Sequence, residues 1–208
     1  MIEQGTADWR AMRVGKCTAS RIADVVARTK TGWGASRANY AAELIAERLT
    51  GLPHEGYVSA AMKHGTETEP DAIAAYEFLM NLEIERASFV DHPRIPQSGA
   101  SPDGYVGDDG LVETKCPTTA THLATLLGTP ISDSYIKQMQ WQMGTTGRQW
   151  CDWVSFEPRL PEEMRLFVQR VFRDDKMIAV LENEVTAFLA EIDEKVATLR
   201  AKYMRQAA

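Results

Sequence analysis

Cysteine is scarce in this chain of 208 residues: Cys17, Cys116 and Cys151 are all it has, and none stand in Cys-x-x-Cys spacing. That spacing argues against a zinc or iron–sulfur site and fits a reducing, cytoplasmic compartment. The four histidines (His54, His64, His92, His122) form no His-Glu-x-x-His pattern. No apolar run approaches the roughly 20 residues that a membrane helix needs, so no membrane association is expected. The start, Met1-Ile2-Glu3-Gln4-Gly5, does not read as a signal peptide. Internal repeats and low-complexity tracts are missing too. So is an excess of positive charge: the formal net charge is −6, which taken as a whole argues against a nucleic-acid ligand.

The distribution of charge argues the other way. From Trp9 to Tyr40 seven basic residues (Arg10, Arg13, Lys16, Arg21, Arg28, Lys30, Arg37) stand against one acid, Asp24. From Ala41 to Glu77 the balance reverses. A basic segment beside an acidic cluster fits phosphate binding next to a metal site. A solvated helix face is the alternative.

The pattern with most chemical content is Ser101-Pro102-Asp103-Gly104, followed by Glu113-Thr114-Lys115. Strand side chains alternate, so Glu113 and Lys115 share a face and Thr114 points away. Gly107-Asp108-Asp109-Gly110 between them is a hairpin signal, and a hairpin there folds Asp103 back beside Glu113. Two carboxylates in a small space repel unless a cation separates them, and their hard oxygens suit Mg²⁺ or Mn²⁺. An adjacent ammonium can orient water or neutralise charge developing on a phosphate. An ordinary surface hairpin would carry the same residue types.

Periodicity and breakers predict the remaining elements. Thr18 or Ser20 caps a helix through Ile22, Val25 and Val26, and residues 29–35 form a loop. A second helix runs from Ser36 through Leu49 and stops at Gly51. A third runs from about Glu69 to Met80, with Glu69 and Pro70 in its first turn. Strands are expected at 83–90, 97–106 and 111–115, helices at 118–128 and 133–143, then strands at 149–156 and 165–172. A closing helix spans about 174–203. The order gives an α/β (α+β) layer fold with a mixed central β-sheet flanked by helices. We read residues 1–208 as one domain: a helical part to about 80, a sheet core over about 83–172, and the closing helix. Gln138 and Gln142 lie four apart on one helix face, and Trp9 reads as a core residue.

Five blocks in order carry a resemblance. They are Glu3-Gln4-Gly5…Trp9…Arg13-x-Gly15…Thr18-Ala19-Ser20, then Gly65-x-x-x-Glu69-x-Asp71-Ala72, then Ser101-Pro102-Asp103-Gly104, then Glu113-x-Lys115-Cys116-Pro117, then Tyr135-x-x-Gln138-x-Gln140. Together they resemble the lambda-type exonucleases of the YqaJ-like viral recombinase group, on the PD-(D/E)XK nuclease fold. The resemblance implies that Asp103 and Glu113 bind metal with the Thr114 carbonyl. It implies that Lys115 positions the attacking water, that Glu69 completes the site and that Gln138 hydrogen-bonds around the nucleophile. Arg13, Ser20 and Ser101 fall where the family binds a terminal 5′-phosphate. The family also carries an Arg where this chain has Thr121. That departure would weaken dependence on the phosphate unless another cation, such as Lys16 or Arg21, substitutes.

As to activity, the same resemblance implies a Mg²⁺-dependent 5′-to-3′ exonuclease on double-stranded DNA ends. It would use two ions, with Mn²⁺ able to substitute, release mononucleotides and leave 3′ overhangs for recombination in a bacterial or phage-infected cell. A ring-shaped homotrimer and a single-strand annealing partner are implied as well. The rivals are a restriction-type or CRISPR-associated nuclease on the same fold, and a non-catalytic DNA-end-binding module. The CRISPR-associated type normally needs a cysteine-held cluster that these three cysteines cannot supply.

Overall fold

The computed structural model describes residues 2–54, 56 and 59–204. In chain order the elements are α1 (Ala7–Arg13), β1 (Cys17–Thr18), a 3₁₀ turn (Ala19–Arg21), α2 (Ile22–Val25), β2 (Arg28–Thr29), β3 (Gly32–Trp33), α3 (Ala35–Thr50) and α4 (Ala60–Met80). Then come β4 (Glu85–Arg86), β5 (Val90–Asp91), β6 (Ser98–Ala100), β7 (Gly104–Val106), β8 (Gly110–Lys115), α5 (Thr119–Leu126) and α6 (Asp133–Thr146). The chain closes with β9 (Trp150–Phe156), β10 (Leu166–Phe172) and α7 (Asp175–Tyr203).

The main sheet has the order β10-β9-β8-β7-β4, with β8 parallel to β9 and the other neighbours antiparallel. Alternation along β8 sorts its residues between two cores. Leu111 packs with Met139 and Met143 of α6 and with Cys151 and Trp153 of β9. Val112 packs on the other side, with Ile73 and Tyr76 of α4 and Val154. A third cluster joins α2, α3 and α7 through Ile22, Tyr40, Leu44, Phe188 and Ile192. Glu113 therefore faces α6, and the sheet places a buried carboxylate under that helix.

Four expectations need correction. The strand expected at 97–106 divides at Ser101-Pro102-Asp103: β6 joins β1 and β5 in a small sheet, while β7 joins the main one. Proline cannot donate to a ladder, so the chain leaves one sheet there and enters the next. The strand expected at 83–90 is likewise two short pieces, β4 and β5. Residues 29–35 are not wholly loop, because β2 and β3 pair as a small hairpin. The helix through Glu69 starts at Ala60, where Ser59 accepts from the Met62 N–H, so Glu69 and Pro70 sit in mid-helix. Ala60-Ala61-Met62-Lys63 are good helix formers and Lys63 pairs with Glu67 one turn on. That support outweighs the one hydrogen bond Pro70 removes on an exposed face.

Candidate active site

The β7–β8 hairpin pairs Gly104 with Val112, which brings Asp103 to the backbone beside Glu113. Asp103 Oδ2 accepts from the Thr114 N–H at 2.6 Å and from Thr114 Oγ1 at 2.7 Å. Thr114 therefore does not simply point away: its hydroxyl and amide together hold the Asp103 carboxylate. Oδ1 has no hydrogen-bond partner among the described residues.

Glu113 is 2% exposed. Its Oε1 accepts from Gln138 Nε2 at 2.6 Å and from Lys115 Nζ, and its Oε2 accepts from Gln142 Nε2 at 2.6 Å. Gln138 and Gln142 are one turn apart on α6, so one helix face grips both oxygens of one carboxylate. Ser132 caps that helix by accepting from the Tyr135 N–H, which fixes the start of the turn that delivers Gln138. Gln142 is the site residue that sequence reasoning passed over. Its spacing from Gln138 was visible, but its burial and its target were not. Its Oε1 is buried without a partner among the described residues. Replacing Gln142 by Leu removes one oxygen's partner and is expected to reduce activity or metal affinity about 10-fold, the lower end for groups that orient a ligand. Titrating Mg²⁺ against cleavage rate checks this, and a native titration curve would count against the role.

The electrostatics fit a cation. Burial, followed by the charge of Glu113, pushes the Asp103 carboxyl up to about 8, and Lys115 offsets only part of this. Glu69 on α4 is raised by burial, with Arg86 opposing and Glu113 adding to the shift. Burial pulls the Lys115 ammonium down, but Glu113 and Asp103 overcome it and the net shift is upward. One ammonium thus serves Asp103 and Glu113, while Glu69 has Arg86 beside it. Among the described residues no three His, Cys, Asp or Glu side chains converge into a closed metal cage. Glu69 turns to Arg86, at 3.5 Å, rather than to Asp103. Asp103 Oδ1, without a partner among the described residues, and the small number of protein ligands beside it suit Mg²⁺, which keeps several waters, better than a metal that needs a full protein cage.

Arg13, Ser20 and Ser101 line one pocket with Asp103, Glu113 and Gln138, of about 160 Å³. The Arg13 guanidinium lies 3.9 Å from the centre of the Trp9 ring, and Trp9 Nε1 donates to Ser101 Oγ at 3.0 Å. Trp9 is half-buried, so it is a bracket for two pocket residues rather than a core residue. Burial lowers the Arg13 pKa, and its Nε is buried without a partner among the described residues. Ser20 lies in the 3₁₀ turn with no side-chain cap, its hydroxyl 3.5 Å from that of Thr18. A wider groove of about 400 Å³, lined by Ile45, Glu194, Lys195, Thr198 and Leu199, holds no comparable convergence of groups.

The basic segment does not present a free positive face. Lys16 pairs with Asp91, Arg21 with Asp24 and Glu43, Arg28 with Glu184, and Arg37 with Glu191. Lys16 and Arg21 are therefore each already engaged with carboxylates. Thr121 is exposed on α5, bonded to Thr118. Of the seven cations, Arg10, Arg13 and Lys30 make no ion pair among the described residues.

Residues 8–149 match the model of the YqaJ-like viral recombinase domain. The chain is similar to an alkaline exonuclease from Laribacter hongkongensis, LHK-Exo, whose crystal structures include one in complex with dAMP. The two share 51% identity over 95% of this chain and 97% of that one, with a TM-score of 0.88. A phage-related exonuclease from Haemophilus somnus 129PT shares the fold at 16% identity, covering 88% of this chain and 96% of that one, with a TM-score of 0.68. No curated protein matches.

Proposed function

This chain belongs to the YqaJ-like viral recombinase family and is an alkaline exonuclease-like nuclease on the PD-(D/E)XK fold, and from that premise we propose that it is a Mg²⁺-dependent exonuclease that degrades one strand of duplex DNA from its 5′ end. It releases mononucleotides and leaves a 3′ single-stranded tail. The observation that carries this reading is the meeting of Asp103, Glu113 and Gln138 in one pocket with Arg13, Ser20 and Ser101, with Lys115 bonded to Glu113 behind it. Acids and an ammonium serve phosphodiester hydrolysis; a guanidinium and two hydroxyls beside them serve an end-group phosphate.

Asp103 and Glu113, with the Thr114 carbonyl, are the residues that would hold the metal, as two ions or one, with Mn²⁺ able to substitute. When bound, the metal supplies Lewis-acid activation of water and neutralises phosphate charge. Lys115 adds a fixed positive charge where the phosphate becomes more negative. Gln138 and Gln142 hold Glu113 in one orientation. Glu69, from α4, adds a third carboxylate at the margin of the site. Arg13 places the terminal phosphate so that the scissile bond falls over Asp103.

The protein works as a ring of three chains that encloses its DNA, with a single-strand annealing protein receiving the tail. Enclosure explains how a chain of net charge −6, with four of its N-terminal cations already paired, stays on a polyanion: topology replaces phosphate contacts that salt would weaken. Digestion of duplex DNA labelled at one end is expected to be Mg²⁺-dependent and to yield labelled mononucleotide from the 5′ end. Light scattering should give three chains per particle, and trap DNA added after initiation should barely slow digestion. Internal cuts, or label released first from the 3′ end, would defeat the exonuclease reading; a monomer stopped at once by the trap would defeat the ring.

A further inference from the structure

The chain turns sharply after Arg13. Val14 has φ −54° and ψ 124°, Gly15 has φ +70°, and the Lys16 N–H donates to the Arg13 carbonyl at 3.0 Å. These are the dihedrals of a type II turn, whose third residue needs a positive φ and so favours glycine. An exposed turn of this kind satisfies its remaining peptide groups with water. Here both groups of Gly15 are taken by charged side chains of α3. The Gly15 N–H donates to Glu47 Oε2 at 2.7 Å, and Arg48 Nε donates to the Gly15 carbonyl at 2.9 Å.

The grip is tight and anchored at its far end. A Cβ at Gly15 would lie 2.7 Å from Arg48 Cγ. Arg48 also reaches Asp193 of α7 at 2.7 Å, with its side chain only 8% exposed. The other oxygen of Glu47 accepts from the His54 N–H at 2.8 Å. Side chains of α3, one of them anchored on α7, thus fix the two peptide units that flank the Gly15 Cα. Two residues before Gly15 stands Arg13, half-buried against Trp9 with a buried, unpartnered Nε and lining the pocket that holds Asp103 and Glu113.

We infer that Glu47 and Arg48 are positioning residues that, by clamping the Gly15 turn, fix the Arg13 guanidinium for the terminal phosphate of the DNA end. The inference rests on the reading of the Arg13 pocket as the phosphate site. The physical reason is that Arg13 is the last residue of a seven-residue helix. Such a short helix is marginal by itself, so the direction of its last side chain has to be set from outside. A charged contact displaced by about 1 Å can lose up to about 100-fold in an oriented step.

The test measures kcat and KM on duplexes bearing 5′-phosphate or 5′-hydroxyl ends. It compares the native protein with Arg13→Ala, Glu47→Gln, Arg48→Lys and the double variant Arg13→Ala/Glu47→Gln. Glu47→Gln offers one acceptor where two N–H groups need one each. Arg48→Lys keeps a cation for Asp193 but not the Nε geometry, so the test does not hang on one variant folding, and melting temperatures check the folding of each. The native protein should prefer the phosphorylated end. Each single brace variant should lower that preference about tenfold, through KM for the phosphorylated end more than through kcat. The double variant should discriminate no less than Arg13→Ala alone. Brace variants that keep the native preference, slow both ends equally, or add to the Arg13→Ala loss would overturn the inference while leaving the pocket reading intact. If the native protein cuts both ends alike, the pocket reading fails and the inference fails with it.

Discussion

Replacing Lys115 by Ala is expected to slow cleavage by about 10²–10³-fold, the loss seen when one transition-state donor is removed, with DNA-end binding close to native. The ammonium lies against Glu113 and within 5.1 Å of the Tyr135 ring centre, its side chain 23% exposed. It is the positive charge that Asp103 and Glu113 share. Its removal leaves the charge that accumulates on the phosphate uncompensated at the moment of bond breaking. On the proposed reading, end binding rests on the separate contacts around Arg13, Ser20 and Ser101. Single-turnover cleavage and equilibrium binding, measured on the same labelled duplex, separate the two effects. Near-native turnover would remove Lys115 from the cleavage centre, and a loss confined to binding would move it to the DNA-contact surface.

Metal-free protein is expected to lose stability as pH rises from about 4 through 8, the range over which Asp103, pushed up to about 8, gives up its proton. The sign comes from linkage. A carboxyl whose folded pKa lies above its unfolded value contributes stability that is fully present below the unfolded pKa and lost as pH climbs through the folded one. Glu69, also raised, acts in the same direction. Glu157, pushed down to about 2 by Arg159, acts oppositely but only in strong acid. His92, pulled down by burial, works against the trend near neutrality. The diagnostic quantity is therefore the difference between the native protein and Asp103→Asn. In the absence of metal, Asp103→Asn should melt at progressively higher temperature than the native protein as pH rises toward 8. For a domain of this size about 2–4 °C corresponds to 1 kcal/mol. Adding Mg²⁺ at pH 8 should raise the native melting temperature and leave the Asn variant nearly unchanged. Parallel melting curves for the two proteins across this range would show that Asp103 is not held in the field of its neighbours.

Such a difference would also explain why a nuclease site carries acids that cost stability when no cation is present. A charge cluster that is unfavourable alone is the form a cation-binding site takes, and natural proteins tolerate that cost where chemistry requires it.

The sequence by itself determined the parts of this protein that depend on short spacing. Two residues along a strand set Glu113 and Lys115 on one face, and Gly107-Asp108-Asp109-Gly110 returned Asp103 to their side. Helical periodicity likewise located nearly all of α3 and of α7, because a backbone repeat acts on neighbours along the chain. Tertiary structure decided what depends on distant partners and on burial. Pro102 could be read as a turn, but only the pairing of β6 with β1 and of β7 with β8 shows it as the boundary between two sheets. The spacing of Gln138 and Gln142 carried no meaning until α6 was laid over β8 and both amides met Glu113. The basic run from Arg10 to Arg37 looked available to phosphate, yet α3, α7 and the β5 edge bring Glu43, Glu191, Glu184 and Asp91 to four of its members. Formal charge is a property of the chain. Whether that charge remains for a ligand is settled by which opposite charges the fold brings within a few ångströms, and no local pattern encodes those distances.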